Sequence, residues 1–171
     1  MGKVVFENSS YGTYGDLPAV GSYAPDISLV DTRLRNVTFN NWSGMRKIMN
    51  VVLSIDTEVC ARSIVELDRL CAEQEDLAVL LVSCDLPFAH ERFVREQKLE
   101  NTAALSAIRH GGFGENYGVQ ITEGPLAGMY SPALVVIDEN NTVVHTENIE
   151  ELSREPDYPA AFRALGVGLA V

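Results

Sequence analysis

The strongest constraint on the fold is a pair of apolar runs separated by a segment of helical period. Ile48-Met49-Asn50-Val51-Val52-Leu53 and Leu77-Ala78-Val79-Leu80-Leu81-Val82 are short and almost free of polar residues. Runs of this kind read as strands buried on both faces, as in parallel sheets covered by helices. Between them, Val59, Ile64, Leu67, Leu70 and Cys71 recur at the spacing of one helix face, and Asp68 and Arg69 are expected to face water. Ser54-Ile55-Asp56-Thr57 supplies capping side chains ahead of that helix. Strand, helix and strand with short links make a βαβ unit, right-handed and parallel.

The rest of the chain extends this unit. Val4 to Phe6 reads as a first strand, and Gly12 to Pro25 as a turn-rich lead-in. Ala24 to Asp31 alternates and reads as a half-buried strand. Asn40 to Arg46 is a short polar connection around Trp42. His90 to Gln97 starts a second helix, and Asn101 to Ile108 fits neither pattern alone. Phe113 to Tyr117 reads as a short helix closed by Gly118. Ala133 to Asp138, the turn residues Glu139-Asn140-Asn141, and Thr142 to Thr146 form a hairpin. Asp157 to Leu165 is a closing helix ended by Gly166. The expected fold is α/β, with a central mixed sheet flanked by helices and an N-terminal β extension, in one domain over residues 1–171.

Charge narrows the partners. Lys and Arg total 13 against 24 Asp and Glu, a net charge of −11. That argues against nucleic acid and against anionic membrane surfaces. No apolar run is long enough to span a bilayer. Met1 to Asn8 lacks a signal-peptide core, and Phe6 stands where myristoylation prefers Ser or Thr. A cytoplasmic protein is expected. Its odd number of cysteines, 3, suits reduced or reactive thiols better than a disulfide framework. Cys60, Cys71 and Cys84 lack metal-ligand spacing, and His90, His110 and His145 are scattered, so no metal and no cofactor are expected.

Cys60 is the thiol placed for chemistry. With Thr57 as N-cap it lies in the first helical turn, where free N–H groups and the helix dipole favour a thiolate, the nucleophilic form of cysteine. Thr57 can turn its hydroxyl toward the sulfur, whereas the Glu58 carboxylate opposes a thiolate. Core filling is the other reading of such a cysteine, and spacing by itself leaves both open.

Longer strings add a resemblance. Ser54-Ile55-Asp56-Thr57-Glu58-Val59-Cys60-Ala61 resembles the peroxidatic loop of the bacterial thiol peroxidases, the atypical two-cysteine branch of the peroxiredoxins. Gly15-Asp16-Leu17-Pro18-Ala19-Val20-Gly21, Asp85-Leu86-Pro87-Phe88-Ala89 with Arg92-Phe93, Gly124-Pro125-Leu126-Ala127-Gly128 and Glu155-Pro156-Asp157-Tyr158 continue the likeness in order. It runs over nearly the whole chain. The resemblance implies a thioredoxin-like fold of peroxiredoxin type, a homodimer, and reduction of hydrogen peroxide or organic hydroperoxides. Cys60 would be the peroxidatic cysteine and Thr57 the hydroxyl that orients it. Thioredoxin or a small thiol would be the reductant. Exposed apolar residues near Trp42, Phe113 and Tyr117 are candidate dimer contacts.

Three departures bear on that chemistry. The family's proline at the start of the motif is Leu53, its resolving cysteine is Val94, and its active-site arginine is Pro132. Valine forms no disulfide, so the cycle would resemble that of one-cysteine enzymes and use an external thiol. Cys84 is the alternative resolving residue, with strand-end packing as its other reading, and Cys71 reads as core. Proline offers neither charge nor N–H, which implies a weakened peroxidase. Arg62 and Arg109 are candidates to replace the lost arginine, and Leu53, Pro132 and Arg109 are expected at the pocket. Ser131-Pro132 ahead of a strand looks like the cis-proline of disulfide-exchanging proteins, so a cis bond is expected. A binding or interaction module, or a slow thiol redox sensor, is the alternative function.

Overall fold

The computed structural model describes residues 2–109 and 111–168. His110, one of the histidines set aside above, lies outside them. The βαβ unit forms as its periodicity requires. Strand β1 (Lys3–Phe6) pairs with β2 (Ser9–Gly12) in a separate antiparallel hairpin. The main sheet contains β3 (Leu29–Val30), β4 (Asn36–Val37), β5 (Arg46–Val51), β6 (Leu77–Ser83), β7 (Thr102–Ser106), β8 (Ala133–Ile137) and β9 (Val143–Asn148). Their order is β4-β3-β7-β6-β5-β8-β9. Strands β5, β6 and β7 are mutually parallel, and β8 lies antiparallel to β5. The sheet is therefore mixed, as the sequence indicates.

Helices α1 (Glu58–Leu70), α2 (Pro87–Gln97) and α4 (Tyr158–Ala164) and the short α3 (Phe113–Asn116) complete the fold. Parity along the strands separates two cores. Met49, Val51, Leu80, Val82, Leu105 and Val135 pack with Phe113, Tyr117 and Tyr130. On the other face, Ile48, Val79, Leu134 and Val136 meet Leu67, Cys71 and Phe162, while Leu81 and Ala104 meet Cys60, Ile64 and Phe93. Ile64 and Leu67 are fully buried, each contributing about 1.5–3 kcal/mol. Gly118 ends α3 at φ +67, and a Cβ there would collide with the Asp16 carbonyl.

Several expectations need correction. Asp68 does not face water: it is buried, with Oδ1 accepting from the Asn101 N–H at 2.8 Å and the Thr102 hydroxyl at 2.8 Å. Its neighbours come from the start of β7, which helix periodicity cannot reveal. Residues 101–108, ambiguous in sequence, supply that strand. Only Leu29–Val30 of the expected strand over 24–31 joins the sheet. Upstream, Pro25 has no N–H to give a ladder, and the Ala24 N–H bonds Asn141 O at the β8–β9 turn. Phe113 and Tyr117 are buried and stacked at 4.6 Å, and Trp42 packs on the same core. Among the described residues no peptide bond is cis, so Ser131–Pro132 is trans. The Pro132 carbonyl accepts from the Ile149 N–H at 2.9 Å, one step beyond the β8–β9 ladder.

Candidate active site

The site is built where β5 hands over to α1. The Val52 N–H still bonds Val82 O at 3.0 Å, so the chain leaves the sheet only after that residue. Asp85, just past β6, then holds the connecting loop. Its Oδ1 accepts from the Ser54 hydroxyl at 2.9 Å, and its Oδ2 from the Ile55 N–H at 2.9 Å and the Ser83 hydroxyl at 2.7 Å. Ser83 Oγ also lies 2.8 Å from Nε2 of fully buried His90. Because Ser83 gives its proton to Asp85, His90 donates from Nε2, and its buried Nδ1 is the unpaired acceptor. Burial lowers the His90 pKa to about 4, against the opposing pull of Asp85, so the ring is neutral at neutral pH. Arg92 adds an outer tie to Asp56 at 3.2 Å.

Thr57 is the N-cap of α1, as its sequence position indicates, but its side chain makes no capping bond. Its hydroxyl instead donates to Ser54 O at 2.9 Å. Cys60 lies in the first turn of α1 and is 7% exposed. Leu53, Ile55, Leu81 and Phe93 share its apolar cluster, with Val94 packed against that cluster. On its sheet side Cys60 borders a cavity of about 10 Å³, enough for at most one water. The cavity walls include Asn50, Ser63, Pro132, Ile149, Leu152, Arg154 and Pro156. Asn50 Nδ2 donates to Ser63 Oγ at 3.1 Å, and Ser63 donates to Cys60 O at 2.8 Å, so these polar groups brace the helix.

The structure thus brings Cys60, Leu53 and Pro132 together, with Thr57 one helical turn away. It does not bring Arg109 to them. That side chain bonds Leu34 O and Asn36 Oδ1 at 3.3 and 2.8 Å, beside the β3–β4 turn, so its placement at the pocket is corrected. Arg62 lies on α1 but outside the cavity, bonded to Glu58 at 2.8 Å and Glu155 at 3.1 Å. These pairs border an open groove of about 620 Å³ with Ala61, Val65 and Tyr158.

The other thiols are separated from Cys60. Cys84 packs against the core on the opposite face of the sheet, with Sγ 3.8 Å from Gly128 O. Burial raises its pKa. A disulfide needs Cα atoms within about 7 Å and converging side chains, whereas the sheet stands between these two. Cys71, C-cap of the same helix, is pushed up to about 12 by burial, with Asp68 adding to it, and is an inert core residue as expected. All three cysteines are free, and the described residues hold no metal-binding cluster of His, Cys, Asp and Glu.

Sequence reasoning missed Asp85 as the loop clamp and Arg154 as a cavity wall. Asp85 falls in the string Asp85-Leu86-Pro87-Phe88-Ala89, whose local pattern assigns it no role. Arg154 had no local signal, because it reaches the cavity only through the path of the chain after β9.

The Redoxin family model matches residues 19–162. A thiol peroxidase of Corynebacterium glutamicum is 38% identical over 165 residues, covering 96% of this chain and 99% of that protein. A thiol peroxidase of Mycobacterium bovis is 40% identical over 166 residues, covering 97% and 99%. Among solved structures, a thiol peroxidase from Chromobacterium violaceum superposes with a TM-score of 0.90 at 29% identity, covering 96% of this chain and 95% of that one.

Proposed function

The chain belongs to the redoxin family, and on that premise we propose that it is a thiol-dependent peroxidase whose nucleophile is Cys60. The fold is thioredoxin-like, in one domain. The observation that carries the reading is the seat of Cys60 in the first turn of α1, on a loop clamped by Asp85. The names and overall similarity of the relatives support it.

The reaction follows from a thiolate and a hydroperoxide. The Cys60 sulfur attacks one peroxide oxygen, an S–O bond forms and the O–O bond breaks. Sulfur loses two electrons and becomes a sulfenic acid, while the other oxygen leaves as hydroxide or alkoxide and takes a proton from water. Thr57 lies one turn back and holds its hydroxyl on Ser54 O, with its oxygen lone pairs left to accept from substrate. Leu53 and Pro132 supply apolar walls. Cys84 across the sheet and Val94 beside the site leave regeneration to an external thiol, thioredoxin or a low-molecular-weight one. Free cysteines suit a reducing, cytoplasmic setting. No helix among the described residues is long and apolar enough to cross a membrane.

A homodimer is the proposed assembly. Phe88, Ile108, Leu86 and Met129 are exposed apolar side chains carried by segments that follow or flank the sheet at its β6 and β7 ends. Light scattering should report twice the chain mass, and a strictly monomeric protein would remove this part.

The test of the activity is intact-mass kinetics of the reduced protein with limiting cumene hydroperoxide. A sulfenic product or its thiol adduct should form in the wild type and be absent in Cys60→Ser. Oxidation no faster than that of a free thiol would sink the reading.

A further inference from the structure

We propose that the open edge of β7 docks an extended peptide with an acidic side chain, which adds to the sheet there as a short strand. The proposal is independent of the peroxidase reading. Its site shares no lining residue with the cavity at Cys60.

The starting point is where a ladder stops. The Ala107 N–H bonds Ser83 O at 3.0 Å, so the odd-numbered residues of β7 turn their backbone groups toward β6. Thr102, Ala104 and Ser106 turn theirs the other way. Ser106 meets Val30 of β3 on that side. Two residues further along an antiparallel ladder, Thr32 would stand opposite Ala104. It does not, because the chain turns at Asp31. The Asp31 N–H bonds Arg35 O at 3.0 Å, and its Oδ1 accepts the Arg33 and Arg35 N–H groups, both at 2.9 Å. Ala104 therefore points an N–H and a C=O out of the sheet edge, and no group among the described residues bonds them there. Ala104 is only 5% exposed, and backbone groups so buried are nearly always paired. A cavity of about 360 Å³ opens on this edge. Val94 of α2 walls it on one face of the sheet and Trp42 on the other.

Charge and hydrogen bonding select the occupant. Asp31, Arg33 and Arg35 also line the cavity. Asp31 is paired with Arg35 at 2.7 Å. Among the described residues no hydrogen bond or ion pair holds the Arg33 guanidinium. The cavity thus carries an uncompensated cation, in a chain whose net charge is −11. The groove on α1 has the opposite balance, with Glu58, Glu66 and Glu155 against Arg62. An extended peptide offers Ala104 both an acceptor and a donor, the pairing by which a strand adds to a sheet edge. Its alternate side chains face the two walls, Trp42 and Val94. A carboxylate on it meets Arg33.

The experiment titrates the full chain with an acetylated, amidated peptide of sequence Thr-Val-Glu-Val-Thr. Two signals are read: fluorescence of Trp42, the one tryptophan, and hydrogen exchange at the Ala104 amide by NMR. The fluorescence should change saturably and the Ala104 amide should exchange more slowly. A peptide with lysine in place of glutamate should bind about tenfold more weakly. N-methylation along one edge of the peptide should cost about tenfold, and along the other edge little, because one edge faces β7. Arg33→Gln should weaken binding about threefold to fivefold, and Arg163→Gln on α4 should match wild type. A glutamate peptide that moves neither signal overturns the proposal. So does binding that lysine, N-methylation and Arg33→Gln all leave unchanged, which would be apolar contact with Trp42. Binding that depends on Arg33 but leaves Ala104 exchange unchanged would be carboxylate capture without strand addition, and overturns it as well. Oxidation of Cys60 by peroxide is measured separately, and none of these outcomes bears on it.

Discussion

Cys60 and Cys84 follow the C-terminal ends of two adjacent parallel strands, β5 and β6, yet they occupy opposite faces of the sheet. Cys60 comes after a loop and sits in the first turn of α1, among Val52, Leu81 and Phe93. Cys84 directly continues the parity of Leu80 and Val82, which points it into the core with Tyr130. The next residue, Asp85, reaches the α1 side and clamps the Cys60 loop. One step of strand parity thus separates a half-buried thiol from the carboxylate that clamps the Cys60 loop. Proximity in topology is not proximity in chemistry.

The contrast breaks most visibly at the thiols' own positions. Cys60→Ser should abolish peroxide-dependent oxidation of the protein, measured by mass kinetics. Replacing Asp85 should give the next largest effect. Asp85→Ala leaves the Ser54 hydroxyl, the Ile55 N–H and the Ser83 hydroxyl without their acceptor. A stability loss of about 2 kcal/mol is expected in chemical denaturation, with slower Cys60 oxidation. Unchanged oxidation would show that the loop holds its shape without the clamp.

His90 sharpens the comparison through pH. Its folded pKa of about 4, set first by burial, lies below the ordinary value of 6.5. Between these values the unfolded chain binds the proton and the folded chain does not. Stability from this group is therefore fully present above pH 6.5 and falls as pH drops toward 4. At pH 5 the loss should be about 2 kcal/mol relative to pH 7. His90→Gln should flatten the difference, and an equally steep profile in that variant would assign the slope to other groups. The smallest effect is expected at Cys84: Cys84→Ser should leave peroxide consumption within about twofold of wild type. A large loss would mean that the sheet opens enough for Cys84 to take part.

Much of this arrangement was legible in the residues. The apolar runs, the helix between them, the hairpin around residues 139–141 and the caps at Thr57 and Gly118 all depend on near neighbours in the chain. So does the place of Cys60 in the first turn of α1. The cis bond expected at Ser131–Pro132 rests on analogy, and the bond is trans. Asp68 was misplaced because its partners arrive from residues 100–102. Arg109 was misplaced because its acceptors lie at Leu34 and Asn36.

By itself, then, the sequence determined the βαβ frame and the helical seat of Cys60, since periodicity and capping act over a few residues. Only the tertiary structure decided which face receives Cys84, that Asp85 closes the loop, and that Arg154 arrives from beyond β9 to wall the cavity. These outcomes turn on strand parity and on contacts between distant segments, and no local pattern encodes which distant side chain will meet which.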